Sequence, residues 1–76
     1  MEQTLMSEHL QVERKQFFLD LKENQRGSFL RITEDVKGRR DTIIIPASGL
    51  PLLRDALDKM VREKGPFGNP EAAEPA

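Results

Sequence analysis

The sequence predicts an α+β fold of the order ββββα, in which a curved four-stranded antiparallel sheet precedes one C-terminal helix. Three observations carry this prediction. Apolar and polar residues alternate through several short segments before Pro46, which is the period of strands with one buried and one solvated face. Short connections separate these segments, and two of them contain glycine. After Pro46 the apolar period changes to three and four residues, which is the period of an amphipathic helix.

The strands are predicted at residues 8–14, 15–24, 28–35 and 41–46. Phe17, Leu19 and Leu21 show the alternation in the second strand. The fourth strand, DTIIIP, is a β-branched run closed by proline. Gly27 can take the positive φ of a tight hairpin between strands two and three, and DVKGRR forms a loop before strand four. Because the connections are short, the strands form an antiparallel meander.

The helix is predicted from its apolar stripe, which consists of Leu50, Leu53, Leu57, Met60 and Val61. Ser48 is the predicted N-cap, and Pro51 is tolerated in the first turn because the N–H groups there have no helical partners. The dipeptide at residues 65–66, Gly-Pro, ends the helix. We expect the helix to lie on the apolar face of the sheet, although about four turns cannot cover four strands well.

The chain length favours an assembly of two copies. A domain of 76 residues is near the size at which a single core is marginal, and the chain has no cysteine for a disulfide. We therefore expect a homodimer that shares a core by exchanging helices. The predicted organisation is a flexible N-terminus at 1–6, one folded repeat at 7–64 and a disordered tail at 65–76, which is rich in Pro, Ala and Glu.

Charge is unevenly distributed along the chain, although the net charge is only −1. Residues 1–13 carry three acidic and no basic residues. Residues 14–40 carry eight basic residues against four acidic ones, and residues 41–76 return to a net −2. The positive charge is thus concentrated on the central hairpin, where the local field governs binding.

No enzyme, cofactor or metal site is expected. The single histidine, His9, is predicted on the outer face, without the acid and nucleophile that a triad needs. Asp20 and Glu23 lie three apart on a strand and therefore point to opposite faces. There is no phosphate-loop pattern and no metal-ligand spacing. The first ten residues lack the features of a signal peptide, and no apolar run approaches the ~20 residues of a membrane span, so we expect a cytoplasmic protein.

The outer face of the predicted sheet is unusual because Phe18 and Phe29 alternate in phase with polar and basic residues. Rings interleaved with cations suit single-stranded nucleic acid, since bases stack on rings for ~1–3 kcal/mol each while Lys and Arg bind phosphates. The candidate contact residues are Phe18, Lys22, Asn24, Arg26, Phe29, Arg31, Arg39 and Arg40. Asn24 and Arg26 have the donors and acceptors that read base edges.

A protein-interaction module is the alternative interpretation of the same face. A partner subunit or another protein can bury two phenylalanines on the second face of a sheet, and surface cations are commonly only solvated. In the adjacent Phe17–Phe18 pair, either ring can be the inward one. The pattern of residues alone leaves both interpretations open.

Two long motifs resemble a known family. DLKENQRGSFLRI, followed by TIIIPASGLPLLRDAL, is similar to the repeat of the PUR family, the Pur-alpha-type purine-rich element binding proteins. The resemblance covers residues 7–64 and implies a ββββα repeat, two of which intertwine into a Whirly-like domain. It implies binding of single-stranded DNA and RNA with a purine-rich, especially G-rich, preference, and a role in regulating transcription or translation. With one repeat, the chain resembles the bacterial type that forms a homodimer, in the cytoplasm and near the nucleoid.

The resemblance also assigns roles to residues. Lys22, Asn24 and Arg26 match the family positions that contact bases and backbone, and Phe29 matches an aromatic residue that stacks on or wedges between bases. Arg31 matches the basic position beside it. Two departures stand out: Ser28 occupies a position where repeats commonly have Arg, and His9 replaces an aromatic or basic residue. In the short DVKGRR loop, Arg39 and Arg40 are expected to supply contacts to the nucleic-acid backbone instead.

Overall fold

The chain folds into one antiparallel sheet followed by one helix. The computed structural model describes residues 1–68. Its elements are β1 (Gln3–Val12), β2 (Lys15–Asn24), β3 (Gly27–Val36), β4 (Arg39–Pro46), a 3-10 turn (Ala47–Gly49) and α1 (Leu50–Lys64). The strands pair in the order β1-β2-β3-β4, each antiparallel to its neighbour. The predicted ββββα fold is confirmed.

Tight turns connect the strands and fix their register. Between β2 and β3, Asn24 pairs with Gly27, whose φ of +133° is open to glycine and strained for other residues. Between β3 and β4, Lys37 and Gly38 both have positive φ, 53° and 83°, as a type I′ hairpin requires. The predicted DVKGRR loop is therefore a two-residue turn, and its flanking residues belong to the strands.

The first strand begins earlier than the sequence predicts. It starts at Gln3 rather than at residue 8, and Thr4 pairs with Lys22. The predicted flexible N-terminus at 1–6 is therefore wrong for residues 3–6. A register shift between Thr4 and Met6 explains the error, because the extra residue breaks the alternation that marks a strand. The predicted disordered tail, 65–76, lies outside the described residues from position 69 onward.

The register divides the sheet into two faces, because successive side chains of a strand point to opposite sides. The polar face carries Phe18, Asp20, Lys22, Phe29, Arg31 and Arg40. The apolar face carries Phe17, Leu19, Leu21, Leu30, Ile32 and Ile43. Phe17 is thus the ring on the apolar face, and Phe18 is on the polar one.

The helix does not cover the apolar face of its own sheet, and this expectation is wrong. Helix α1 packs on the 3-10 turn, which packs on β3, and it makes little contact with the strands. Within residues 1–68, Leu30 is the only buried hydrophobic residue, while Ile43 is 59% exposed and Met60 is also 59% exposed. The radius of gyration is 14.4 Å, against about 11 Å expected for a compact chain of this length. A single copy therefore lacks a closed core.

The ends of the helix differ in how well the sequence predicts them. Ser48 is not the N-cap, because it lies inside the 3-10 turn and Gly49 caps the helix without a side-chain hydrogen bond. Pro51 lies in the first turn, as predicted. The helix ends at Lys64, and the Gly65 N–H donates to the carbonyl of Val61 over 2.9 Å. Within residues 1–68, no helix is both long and apolar enough to cross a membrane.

Candidate nucleic-acid interface

An open cleft of about 630 Å³ lies on the polar face beside the β2–β3 hairpin. Its lining residues are Glu2, Asn24, Arg26, Gly27, Ser28, Phe29, Arg31, Ile44 and Pro46. The cleft thus brings together four of the eight predicted contact residues, which are Asn24, Arg26, Phe29 and Arg31. We call it the hairpin cleft.

Phe29 lines the hairpin cleft, on the polar face where the strand register places it. It pairs with Lys22 of the neighbouring strand β2 and with Pro46 of the neighbouring strand β4. Its ring is only partly exposed, and Ile44 and Pro46 add apolar surface beside it. An apolar surface with a ring, edged by basic side chains, is the surface on which an unpaired base stacks while its phosphate meets a cation.

Asn24 takes part in the turn through its own side chain. Its Oδ1 accepts a hydrogen bond from the backbone N–H of Arg26 over 2.8 Å. Because a backbone N–H can only donate, the amide orientation is fixed, and the NH₂ group is turned away from this bond. The sequence assigned Asn24 both donor and acceptor roles toward a base. The structure commits one acceptor position to the turn and leaves the amide chiefly a donor.

Carboxylates pair with three of the predicted phosphate-binding cations. Lys22 Nζ lies 3.4 Å from Glu2 Oε1 and donates to Thr4 Oγ1 over 3.0 Å. Arg31 Nη2 lies 3.7 Å from Asp20 Oδ2. The polar face is therefore less positive than the count of cations suggests, and a phosphate that binds here competes with carboxylates already in place.

Arg40, the third of these cations, belongs to a second cluster away from the hairpin cleft. His9 and Phe18 stack with their ring centroids 4.6 Å apart and their planes 3° from parallel. The Arg40 guanidinium lies 5.5 Å from the centroid of the same Phe18 ring, and its Nε donates to Asp35 over 2.9 Å. His9 comes from β1 and Arg40 from β4, so they approach Phe18 from opposite sides of β2. This ring cluster places Phe18 and Arg40 at a second part of the polar face.

Arg39 is separated from the other predicted contacts. It pairs with Val36 and precedes Arg40 in β4, so the two arginines point to opposite faces. Arg39 lines a different cleft of about 550 Å³, together with Lys15, Glu34, Val36, Lys37 and Asp41. The adjacent arginines therefore cannot both serve the polar face.

Besides Gly27 and Ser28 at the hairpin, three residues of the hairpin cleft are absent from the predicted contacts. Glu2 was placed in a flexible segment, because the irregular alternation around the bulge concealed the start of β1, which follows it directly. Ile44 is the middle residue of a run of three isoleucines, so hydrophobicity does not distinguish it from the other two. The alternation of side chains along a strand nevertheless places it on the opposite face from its two neighbours. Pro46 was read only as the end of the strand.

Comparison with known proteins identifies the family. A family model described as PurA ssDNA and RNA-binding protein matches residues 1–74. The chain belongs to this family. The resemblance to the PUR family is confirmed, and the match extends beyond the predicted repeat boundaries of 7–64.

Several plant and mammalian relatives of this PurA-family chain are known. Transcription factor Pur-alpha 1 of Arabidopsis thaliana is 45% identical over 60 residues, covering 79% of this chain and 20% of the relative. Human transcriptional activator protein Pur-alpha is 44% identical over 68 residues, covering 80% of this chain and 21% of the relative. Human purine-rich element-binding protein gamma is 34% identical over 74 residues, with coverages of 80% and 21%. The chain thus spans about one fifth of the length of these relatives.

Proposed function

We propose that this chain is a single-stranded nucleic-acid binding protein that takes DNA and RNA, prefers purine-rich and G-rich strands, and regulates transcription or translation. The position of Phe29 carries the proposal. Its ring lies on the polar face, in a cleft with Asn24, Arg26 and Arg31, rather than on the apolar face. Family membership supports the same function, and the polar face offers binding groups rather than a catalytic set.

The proposed roles follow from the geometry of the polar face. A base stacks on Phe29, and Asn24 and Arg26 meet its edge. Arg31 holds a flanking phosphate once it leaves Asp20, and Lys22 donates to another phosphate while it keeps its contact with Glu2. Phe18 and Arg40 bind a further stretch of the strand at the ring cluster. Arg39, on the other face, contributes only if the strand passes around the edge of the sheet.

A homodimer with intertwined sheets and helices completes the proposal. In one copy, Ile43 on the apolar face and Leu57, Met60 and Val61 on the stripe of α1 are each more than half exposed, and a second copy supplies the missing cover. This Whirly-like arrangement of two single repeats would create the closed core that one chain lacks. We also infer that the protein acts in the cytoplasm of a bacterium, in the vicinity of the nucleoid.

A binding titration tests the proposed function against its alternative, a protein-interaction module. Fluorescence anisotropy compares a labelled G-rich single strand with its C-rich complement at low ionic strength. We expect both to bind and the G-rich strand to bind more tightly. If neither strand binds, the ringed face serves another protein, and the proposed function is wrong.

The salt dependence of binding measures the phosphate contacts. If Lys22, Arg31 and Arg40 each neutralise one phosphate, the logarithm of the association constant falls with the logarithm of salt concentration at a slope of about −2, since each contact to a single strand adds about −0.7. Arg40→Gln removes one contact and makes the slope shallower by about 0.7. A wild-type slope indistinguishable from zero would contradict the electrostatic role of these cations.

Removing a competing carboxylate will strengthen binding. Asp20 lies beside Arg31, and its Oδ1 accepts from the Ser7 hydroxyl over 2.6 Å. Asp20→Asn keeps an acceptor for Ser7 but releases Arg31, and an exposed ion pair is worth about 0.2–1 kcal/mol, so affinity should rise by up to about five-fold. Asp55→Asn on α1 changes charge equally, at an ion pair outside the polar face, and is the control. Equal affinities for the two variants would exclude Arg31 as a phosphate contact.

A further inference from the structure

We propose that Glu2 is a specificity-determining residue that selects guanine over adenine, by accepting hydrogen bonds from the Watson–Crick edge of a base stacked on Phe29. This inference rests on the proposed function, since it names the residue that distinguishes between bases bound in the same cleft. It concerns a residue outside both sequence motifs, at a position that the sequence predicts to be unstructured.

Glu2 lies one residue before β1 and is held in the hairpin cleft by its ion pair with Lys22 on β2. It lines the cleft together with Phe29, and its side chain is 48% exposed, so a ligand can reach it. Lys22 Nζ, 3.4 Å from Glu2 Oε1, is itself anchored to Thr4 and is only 13% exposed. The lysine therefore holds the carboxylate at Oε1, and both carboxylate oxygens keep lone pairs that can accept from a ligand.

The strand register places a donor next to this carboxylate. Gln3, the first residue of β1, pairs with Glu23, so extending this register by one position brings Glu2 beside Asn24, and both residues line the hairpin cleft. Asn24 Oδ1 is engaged by the Arg26 N–H, and its NH₂ group remains to donate. The cleft thus presents a fixed donor from Asn24 beside the two acceptor oxygens of Glu2.

This order of groups complements guanine. The Watson–Crick edge of guanine presents the O6 acceptor followed by the N1–H and N2–H₂ donors, so O6 meets Asn24 while the two donors meet the carboxylate. Adenine presents an N6–H₂ donor and then the N1 lone pair, which a carboxylate repels. An amide that reads adenine needs its donor and acceptor together, and the turn already takes one of the two acceptor positions of Asn24 Oδ1 and fixes the direction of the amide.

The alternative role for Glu2 is that of an electrostatic competitor, as proposed above for Asp20. A competitor lowers affinity for every strand alike, because it only occupies a cation. A guanine reader lowers affinity for adenine strands and raises it for guanine strands. The two roles therefore predict opposite effects of Glu2→Gln on a guanine-containing strand.

The test measures dissociation constants by anisotropy for wild type and Glu2→Gln on three matched strands. One is an adenine strand interrupted by a pair of guanines, the second has inosine at those two positions, and the third is adenine throughout. Inosine lacks only the N2 amino group, so it removes one hydrogen bond to the carboxylate. Glu23→Gln is the control, since it removes an equal charge from an exposed neighbouring position on the other face of β2.

We expect wild type and Glu23→Gln to bind the guanine strand about 5- to 150-fold more tightly than the adenine strand, which is the discrimination of one good bidentate contact. Their affinity for the inosine strand should lie between these two values. Glu2→Gln should lose most of the preference for guanine over inosine and bind the adenine strand at least as tightly as wild type. Tighter binding of all three strands by Glu2→Gln, or an unchanged guanine-to-inosine ratio, overturns the inference while the proposed function stands. Failure of wild type to bind any strand overturns both.

Discussion

Replacing Phe29 by alanine will lower affinity for a purine-rich single strand by about 1–3 kcal/mol, the cost of losing one base–ring stack. The ring lies on the polar face between Lys22 and Pro46, and it is not part of the apolar face. The free energy of unfolding should therefore change little. Anisotropy titration measures the first quantity, and denaturant unfolding followed by circular dichroism measures the second.

Phe17→Ala is the matched control for this prediction. Phe17 pairs with Leu10 on one side and Glu34 on the other, on the apolar face that we assign to the dimer core. The same truncation should there destabilise the fold, and any protein that remains folded should keep its stacking surface. If Phe29→Ala unfolds the chain while Phe17→Ala only weakens binding, the assignment of the two faces is reversed.

Introducing a charge into the apolar stripe of the helix will break the dimer. Leu57 is 52% exposed in one copy, although it lies in the middle of the stripe. If the partner's sheet buries it, Leu57→Glu loses about 1.5–3 kcal/mol for each copy, which raises the dimer dissociation constant by more than about 100-fold. Because one chain buries so little apolar surface, the released protomer should also lose its secondary structure.

Sedimentation velocity and far-ultraviolet circular dichroism at matched concentrations measure both effects. Lys59→Glu places the same side chain on the opposite side of α1 and should leave the dimer intact. A wild-type protein that sediments as a folded monomer at micromolar concentration would contradict the shared core, as would a Leu57→Glu variant that remains dimeric.

Strand parity explains why much of the site is predictable from sequence. Alternation around the β2–β3 hairpin is regular and the turn is short, so Lys22, Phe29 and Arg31 are predicted on one face, and the structure confirms that placement. Parity gives no answer at Phe17–Phe18, because both residues are apolar. In the structure Phe18 is the ring on the polar face, where it stacks on His9 of the neighbouring strand β1.

Long-range partners are the part that sequence reasoning could not predict. The pairing of Lys22 with Glu2 depends on a strand whose bulge conceals its period, and the pairing of Arg31 with Asp20 depends on an exact cross-strand register. The position of α1 is unpredictable for a different reason. An apolar stripe shows that a helix is covered, but it does not show whether its own sheet or a second copy covers it.

Stacking of a base on the Phe29 ring in the hairpin cleft is the contact on which the proposed binding depends. The most direct measurement is the chemical shift of the Phe29 ring protons in a protein labelled at phenylalanine, titrated with a purine-rich single strand. We predict a large upfield shift of those protons, from the ring current of the stacked base, while the Phe17 ring on the apolar face is unaffected. Phe29 signals that stay in place when the strand is saturating would show that no base stacks on this ring.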